Sequence, residues 1–188
     1  NFTLRDEAAN LQVAVDVLNK LTKGGVFVGV NGKNASASPF SKLNNVKLYG
    51  FSGPHPAGNV GVQINNIAPV NKGEVVWTID PMFMVAVGKL FTKGIYDVTR
   101  TIAVAGNRVE KPCYVTCVPG TQIKDLDFLV SKKEVEIFDQ ECGCRYISGK
   151  VLTGNNVGAE GSLDFYSNMV SVISEGNYYE MFGWVKPM

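Results

Sequence analysis

One junction near the start of the chain restricts the fold more than any other feature. Leu4, Ala8, Leu11, Val15, Leu18 and Leu21 recur at steps of three or four, which lines one face of a helix over Leu4 to Thr22. Thr3 is placed to cap it, with Asp6 three residues on as a weak capping box. Gly24-Gly25 stops the helix, and Val26-Phe27-Val28-Gly29-Val30 follows at once. A short continuous apolar run has no solvent face, so it reads as a buried parallel strand. A one-sided helix feeding a two-sided strand needs a layered α/β arrangement to bury both.

The pattern continues in the same sense. Val46–Phe51 is a second strand, Val60–Ile67 a short helix or an extended piece, and Val75-Val76-Trp77-Thr78-Ile79 a third strand. Asp80-Pro81 opens a helix, because a capping carboxylate is followed by a proline whose missing N–H costs nothing there. That helix runs to Lys93, with Lys89 and Lys93 near its negative end and Gly94 as its stop. Val98–Val104 is a fourth strand, closed by Gly106-Asn107. The alternation predicts an open α/β sheet of Rossmann-like pattern over residues 1–108.

Beyond Val109-Glu110-Lys111-Pro112 the texture changes. Pro112–Val118 is a strand, Pro119-Gly120-Thr121 a turn, and Thr121 is placed to cap a short helix through Leu126 to Val130. Short strands follow at Val135–Phe138, Arg145–Ile147 and Met169–Ile173. Residues 109–188 therefore read as a small α+β domain, so the fold class is α/β plus α+β.

Composition excludes several function classes. Lys and Arg number 18 against 17 Asp and Glu, a net charge of +1, so no broad field gathers nucleic acid. No stretch reaches the ~18 apolar residues of a membrane span. The absence of an initiator Met and of a signal sequence at Asn1-Phe2-Thr3-Leu4-Arg5-Asp6 suggests an excised piece of a longer protein. Four cysteines, Cys113, Cys117, Cys142 and Cys144, are too few and too crowded for a disulfide framework and fit a reduced, cytosolic setting.

The main chemical candidate is the loop Ser52-Gly53-Pro54-His55-Pro56-Ala57-Gly58. It follows a strand, where ligands bind in open α/β sheets. His55 is the only histidine, and its flanking prolines fix its backbone. It reads either as a ligand-facing hydrogen-bonding group or as part of a rigid turn capping a carbonyl. No G-x-G-x-x-G and no P-loop occurs, so nothing marks a nucleotide site. Cys113 and Cys117 share a strand face and Cys142-Gly143-Cys144 is a C-x-C. Structural zinc sites place their pairs on knuckle turns, so buried or free thiols are favoured over a metal centre. Glu134 and Glu136 beside Lys132 and Lys133 read as a solvated edge. The aromatic run Tyr178 to Val185 is the end of a core or a docking surface.

Phe51 to Gly61, Val87-Gly88-Lys89-Leu90-Phe91-Thr92-Lys93-Gly94, Ile147-Ser148-Gly149-Lys150-Val151-Leu152-Thr153-Gly154 and Tyr179-Glu180-Met181-Phe182-Gly183-Trp184-Val185 together resemble the A subunit of the bacterial sodium-translocating NADH:quinone oxidoreductase. They occur in that family's order and span most of the chain. The resemblance implies a partial Rossmann-like sheet followed by a small β-grasp, SLBB-like domain, cut from the middle of a chain more than twice this length. It implies a non-flavin subunit, peripheral on the cytoplasmic face of the bacterial inner membrane. Such a protein contributes to quinone reduction and assembly in a translocase that pumps sodium. Other subunits, including membrane subunits, would be its partners, with quinone a further ligand and no nucleic acid. No cofactor is expected within these residues; quinone and NADH act at the level of the whole complex. Family members often carry histidines where this chain has Gln63 and Asn65, so a metal or proton role tied to those positions does not carry over. The competing readings are a stand-alone ligand-binding β-grasp module and a nucleotide-binding enzyme domain.

Overall fold

The computed structural model describes residues 2–130, 136–137, 140–141, 143–176 and 185. The chain forms two compact units, Asn1–Val98 and Thr99–Met188.

The first unit begins with α1 (Ala8–Leu21), then β1 (Val26–Asn31) and β2 (Val46–Phe51), joined through 3-10 turns at Gly32–Ala37 and Pro39–Lys42. α2 (Val60–Ile67) and α3 (Pro81–Lys93) complete it. β1 and β2 are parallel, with Val26 opposite Val46 and Asn31 opposite Phe51. Leu11, Ala14 and Val15 of α1 pack with Met84 and Val85 of α3, and Val28, Val30 and Val46 of the sheet close over them. On the opposite face the Gln63 side chain of α2 lies against Gly29 of β1, leaving no room there for a Cβ. Beyond that contact the face stays open, with Phe27 and Tyr49 exposed, so β1 alternates between half-buried and exposed residues and the expectation of a strand buried on both sides is corrected.

α3 starts and ends as predicted. The Asp80 carboxylate accepts the Met82 N–H at 2.8 Å, Pro81 occupies the first turn, and Gly94 stops the helix in the left-handed region at φ 70°. Lys89, expected to serve the helix end, instead donates to Asp97 at 2.8 Å and lies 3.9 Å from Glu7. α1 begins later than its apolar spacing suggests, and Thr3 does not cap it: the capping position is Glu7, without a side-chain bond. Leu4 nevertheless joins the core, because the turn closed by the Glu7 N–H on the Leu4 carbonyl folds it inward. Of the periodic set Leu4, Leu11 and Val15 are buried, whereas Ala8 and Leu21 at the two ends of α1 are exposed, and Leu4 shows that a turn can bury a side chain as well as a helix can.

Two strand expectations are corrected. Val75–Ile79 forms no strand: among the described residues none of it enters a ladder, and Trp77 is 85% exposed. Residue type favours a strand here, but a strand exists only as half of a ladder. The fourth strand is β3 (Arg100–Ala105), and it belongs to the second unit. It pairs antiparallel with β4 (Cys113–Cys117), which moves the break between units to Val98–Thr99, before the expected position after residue 108.

The second unit continues with a 3-10 turn at Ile123–Leu129, the short pair β5 (Glu136–Ile137) and β6 (Gln140–Glu141), then β7 (Cys144–Ser148), β8 (Asn155–Asn156) and β9 (Met169–Ser174). Its five-stranded sheet runs β4-β3-β9-β7-β8, with β3 and β9 parallel and the other pairs antiparallel. Ile102, Val104, Val109, Ile123, Leu126, Leu163, Val170 and Val172 fill its core. Each such side chain contributes roughly 1.5–3 kcal/mol by leaving water. The expected helix after Thr121 is this 3-10 turn, and Thr121 does not cap it: its hydroxyl donates back to the Val118 carbonyl at 2.7 Å. Lys132, Lys133 and Glu134 lie outside the described residues, as do Tyr178, Tyr179, Phe182 and Trp184.

Candidate functional site

The loop Ser52–Gly58 leaves the C-terminal end of β2 and delivers the chain to the N-terminus of α2 at Val60. Its shape is set by two consecutive turns, closed by the Ala57 N–H on the Pro54 carbonyl at 3.0 Å and the Asn59 N–H on the Pro56 carbonyl at 2.8 Å. Gly53 sits at φ 144°, which favours glycine, and the His55–Pro56 peptide is cis. Ser52 Oγ packs against Gly32, so the loop also leans on the turn that follows β1. The whole loop therefore lies at the C-terminal edge of the parallel pair, the position from which open α/β sheets present ligand-contacting groups.

Ser52, Gly53, Pro54, His55, Pro56 and Gly58 are exposed, and Ala57 is half-buried. The loop holds together through backbone bonds, and among the described residues the His55 imidazole caps no carbonyl. Among the described residues no carboxylate pairs with it, and the triad arrangement that turns a histidine into a base for a nucleophile is missing. What remains is an imidazole on a stiff mount, able to donate or accept one hydrogen bond. Gln63 reaches back from α2, its amide placed 3.4 Å from the Ala57 carbonyl and 3.5 Å from that of Gly58, while its side chain covers Gly29. It is a strut between helix, loop and strand. Asn65 is exposed on α2.

The cysteines take structural positions. Cys113, Cys117 and Cys144 are free thiols; Cys142 lies outside the described residues. Cys117 and Cys144 pack against the second core. Burial pushes the Cys117 thiol up from its ordinary range, partly opposed by the Thr121 hydroxyl and the Arg100 charge. Among the described residues no cluster of three His, Cys, Asp or Glu side chains could hold a metal.

Two arginines that sequence reasoning passes over prove important to the second unit. Arg100 is 6% exposed and spans a gap between segments, donating from Nη1 to the Phe165 carbonyl at 2.6 Å and from Nη2 to the Asp164 carbonyl at 2.9 Å. Arg108 is equally buried and donates from Nε to Cys144 Sγ at 3.2 Å. The signal for Arg100 is present: Arg100, Ile102 and Val104 alternate along one strand face, and that face is the buried one.

Comparison with known proteins bears on the whole chain. The family profile described as NqrA second alpha/beta domain matches residues 1–96, and the one described as NQRA C-terminal domain matches residues 101–159. The chain is 37% identical over 174 residues to the A subunit of the Na(+)-translocating NADH-quinone reductase of Vibrio alginolyticus, covering 92% of this chain and 36% of that protein. It is 36% identical over 186 residues to the corresponding protein of Neisseria meningitidis serogroup A, covering 98% of this chain and 39% of that protein. The same identity holds over 191 residues for that of Hahella chejuensis, again with 98% and 39% covered. The chain thus spans well under half the length of these relatives.

Proposed function

Because the chain belongs to the NqrA family, the A subunit of the Na(+)-translocating NADH-quinone reductase, we propose that it is a cofactor-free section of that protein, working in quinone reduction and in assembly of the complex. The observation that carries this reading is the succession of two family domains in order, each falling within one compact unit of the fold. The section takes no flavin or metal of its own and sits at the cytoplasmic face of the bacterial inner membrane, held by other subunits. Its described helices are all too short or too polar to cross a membrane, which is compatible with a peripheral place. Its near-neutral charge gives no support to an electrostatic hold on lipid or nucleic acid.

Within this role the Ser52–Gly58 loop is the ligand-facing element. An exposed imidazole on a backbone-locked turn suits a single hydrogen bond to the carbonyl oxygen of a quinone headgroup, with the stiff mount lowering the ordering cost. The experiment is a redox split in the assembled reductase. His55→Ala should lower quinone reduction while NADH oxidation by an artificial acceptor, which bypasses the quinone step, stays unchanged. Loss of both activities in a normally assembled complex would refute the assignment.

A further inference from the structure

Val75–Ile79 is an unusual segment for the middle of an α/β unit. Val75, Val76, Trp77 and Ile79 are all exposed large hydrophobics, with Val75 at 76%. Among the described residues no backbone N–H or carbonyl of this stretch takes part in a hydrogen bond within the chain. Its ends are anchored: the Asn71–Glu74 turn closes on one side, and Asp80 caps α3 on the other. The composition is that of a strand, with Val75, Trp77 and Ile79 on one face and Val76 and Thr78 on the other. Free backbone groups together with alternating apolar side chains specify the missing partner as another extended polypeptide, because only a strand satisfies both at once.

We propose that Val75–Ile79 is a docking strand, completed by β-pairing with an extended apolar segment from the part of the longer polypeptide that lies outside residues 1–188. The relatives carry more than as much sequence again as this chain spans, so the same polypeptide can supply the strand. A second copy is the poorer occupant. Antiparallel self-pairing centred on Trp77 sets Glu74 opposite Asp80, and in-register parallel pairing sets each acid opposite itself. Like charges placed directly across a ladder are destabilising.

The test is hydrogen–deuterium exchange on the full-length protein, read on the peptide covering Val75–Ile79. Paired amides should exchange about 100-fold more slowly than unprotected ones. Thr78→Pro, which removes a donor from the middle of the stretch, should return the neighbours to the unprotected rate. Trp77→Ser, at a side chain with little packing inside this unit, should weaken protection while leaving α1 and α3 protected, and so separates lost pairing from lost folding. Exchange at the unprotected rate in the full-length protein overturns the proposal. So does protection that appears only with rising concentration alongside a dimer in light scattering, because that assigns the strand to a second copy.

Discussion

Gly88→Ala places a single methyl group where α3 crosses α1. A Cβ at Gly88 would overlap the Asn10 carbonyl oxygen and come within 2.6 Å of its carbon and 2.8 Å of its Cα. The obstacle is backbone, so no side-chain rotation relieves it and α1 itself must retreat. Retreat draws Leu11, Ala14 and Val15 away from Met84 and Val85, the contacts that close the first core. Overpacking of this kind costs about 1–3 kcal/mol. Replacing a helical glycine by alanine returns at most ~1 kcal/mol. The steric effect wins, for a net loss of about 1 kcal/mol, which at an m-value of ~1–2 kcal/mol/M lowers the urea midpoint by about 0.5–1 M. Far-UV circular dichroism is the readout, since α1, α2 and α3 all lie in the first unit. Gly61→Ala is the control: it is also helical, but nothing stands within 4 Å of its added Cβ, so it should be neutral or slightly stabilising. Equal midpoints for the two variants, or a gain at Gly88, would refute the close-crossing account.

Three further outcomes follow from the same geometry. Arg100→Met should destabilise the second unit by about 2–4 kcal/mol in thermal or denaturant unfolding, because the Phe165 and Asp164 carbonyls lose their donor; a change below ~0.5 kcal/mol would show that the guanidinium is dispensable. The Cys117 thiol, held above its ordinary range by burial, should alkylate more slowly than an exposed thiol at pH 8 as read by mass spectrometry, and the unit should lose stability as pH rises past about 9, since the folded state resists forming the thiolate. In the isolated chain His55→Ala should shift stability by no more than about 0.5 kcal/mol, since the loop is held by backbone bonds; a loss above ~2 kcal/mol would make His55 a structural residue.

Legibility in the sequence tracks how local the deciding interaction is. α3 can be read in full because Asp80, Pro81 and Gly94 act within one turn of the ends they control. The same holds for the Pro-His-Pro loop and its position after β2. Residue type alone misassigns Val75–Ile79, because strand formation is settled by a partner elsewhere in space. It puts β3 in the wrong unit for the same reason: apolar alternation fits either sheet, and only the ladders to β4 and β9 assign the strand. Arg100 escapes notice because a charged residue is normally read as exposed, although its spacing from Ile102 places it on the inner face. Gln63 looks like a departure from a histidine pattern, and in three dimensions it is a strut tying α2 to the loop.

The most direct test of the functional reading is steady-state kinetics of the purified, fully assembled reductase carrying His55→Ala. Losing one hydrogen bond of about 1.4 kcal/mol in the quinone-reducing step corresponds to a roughly tenfold loss of rate. The account predicts quinone reduction down about tenfold, NADH oxidation by an artificial acceptor unchanged and the subunit content of the complex unchanged. Quinone reduction at the wild-type rate in the variant complex would contradict the claim that this loop faces the ligand.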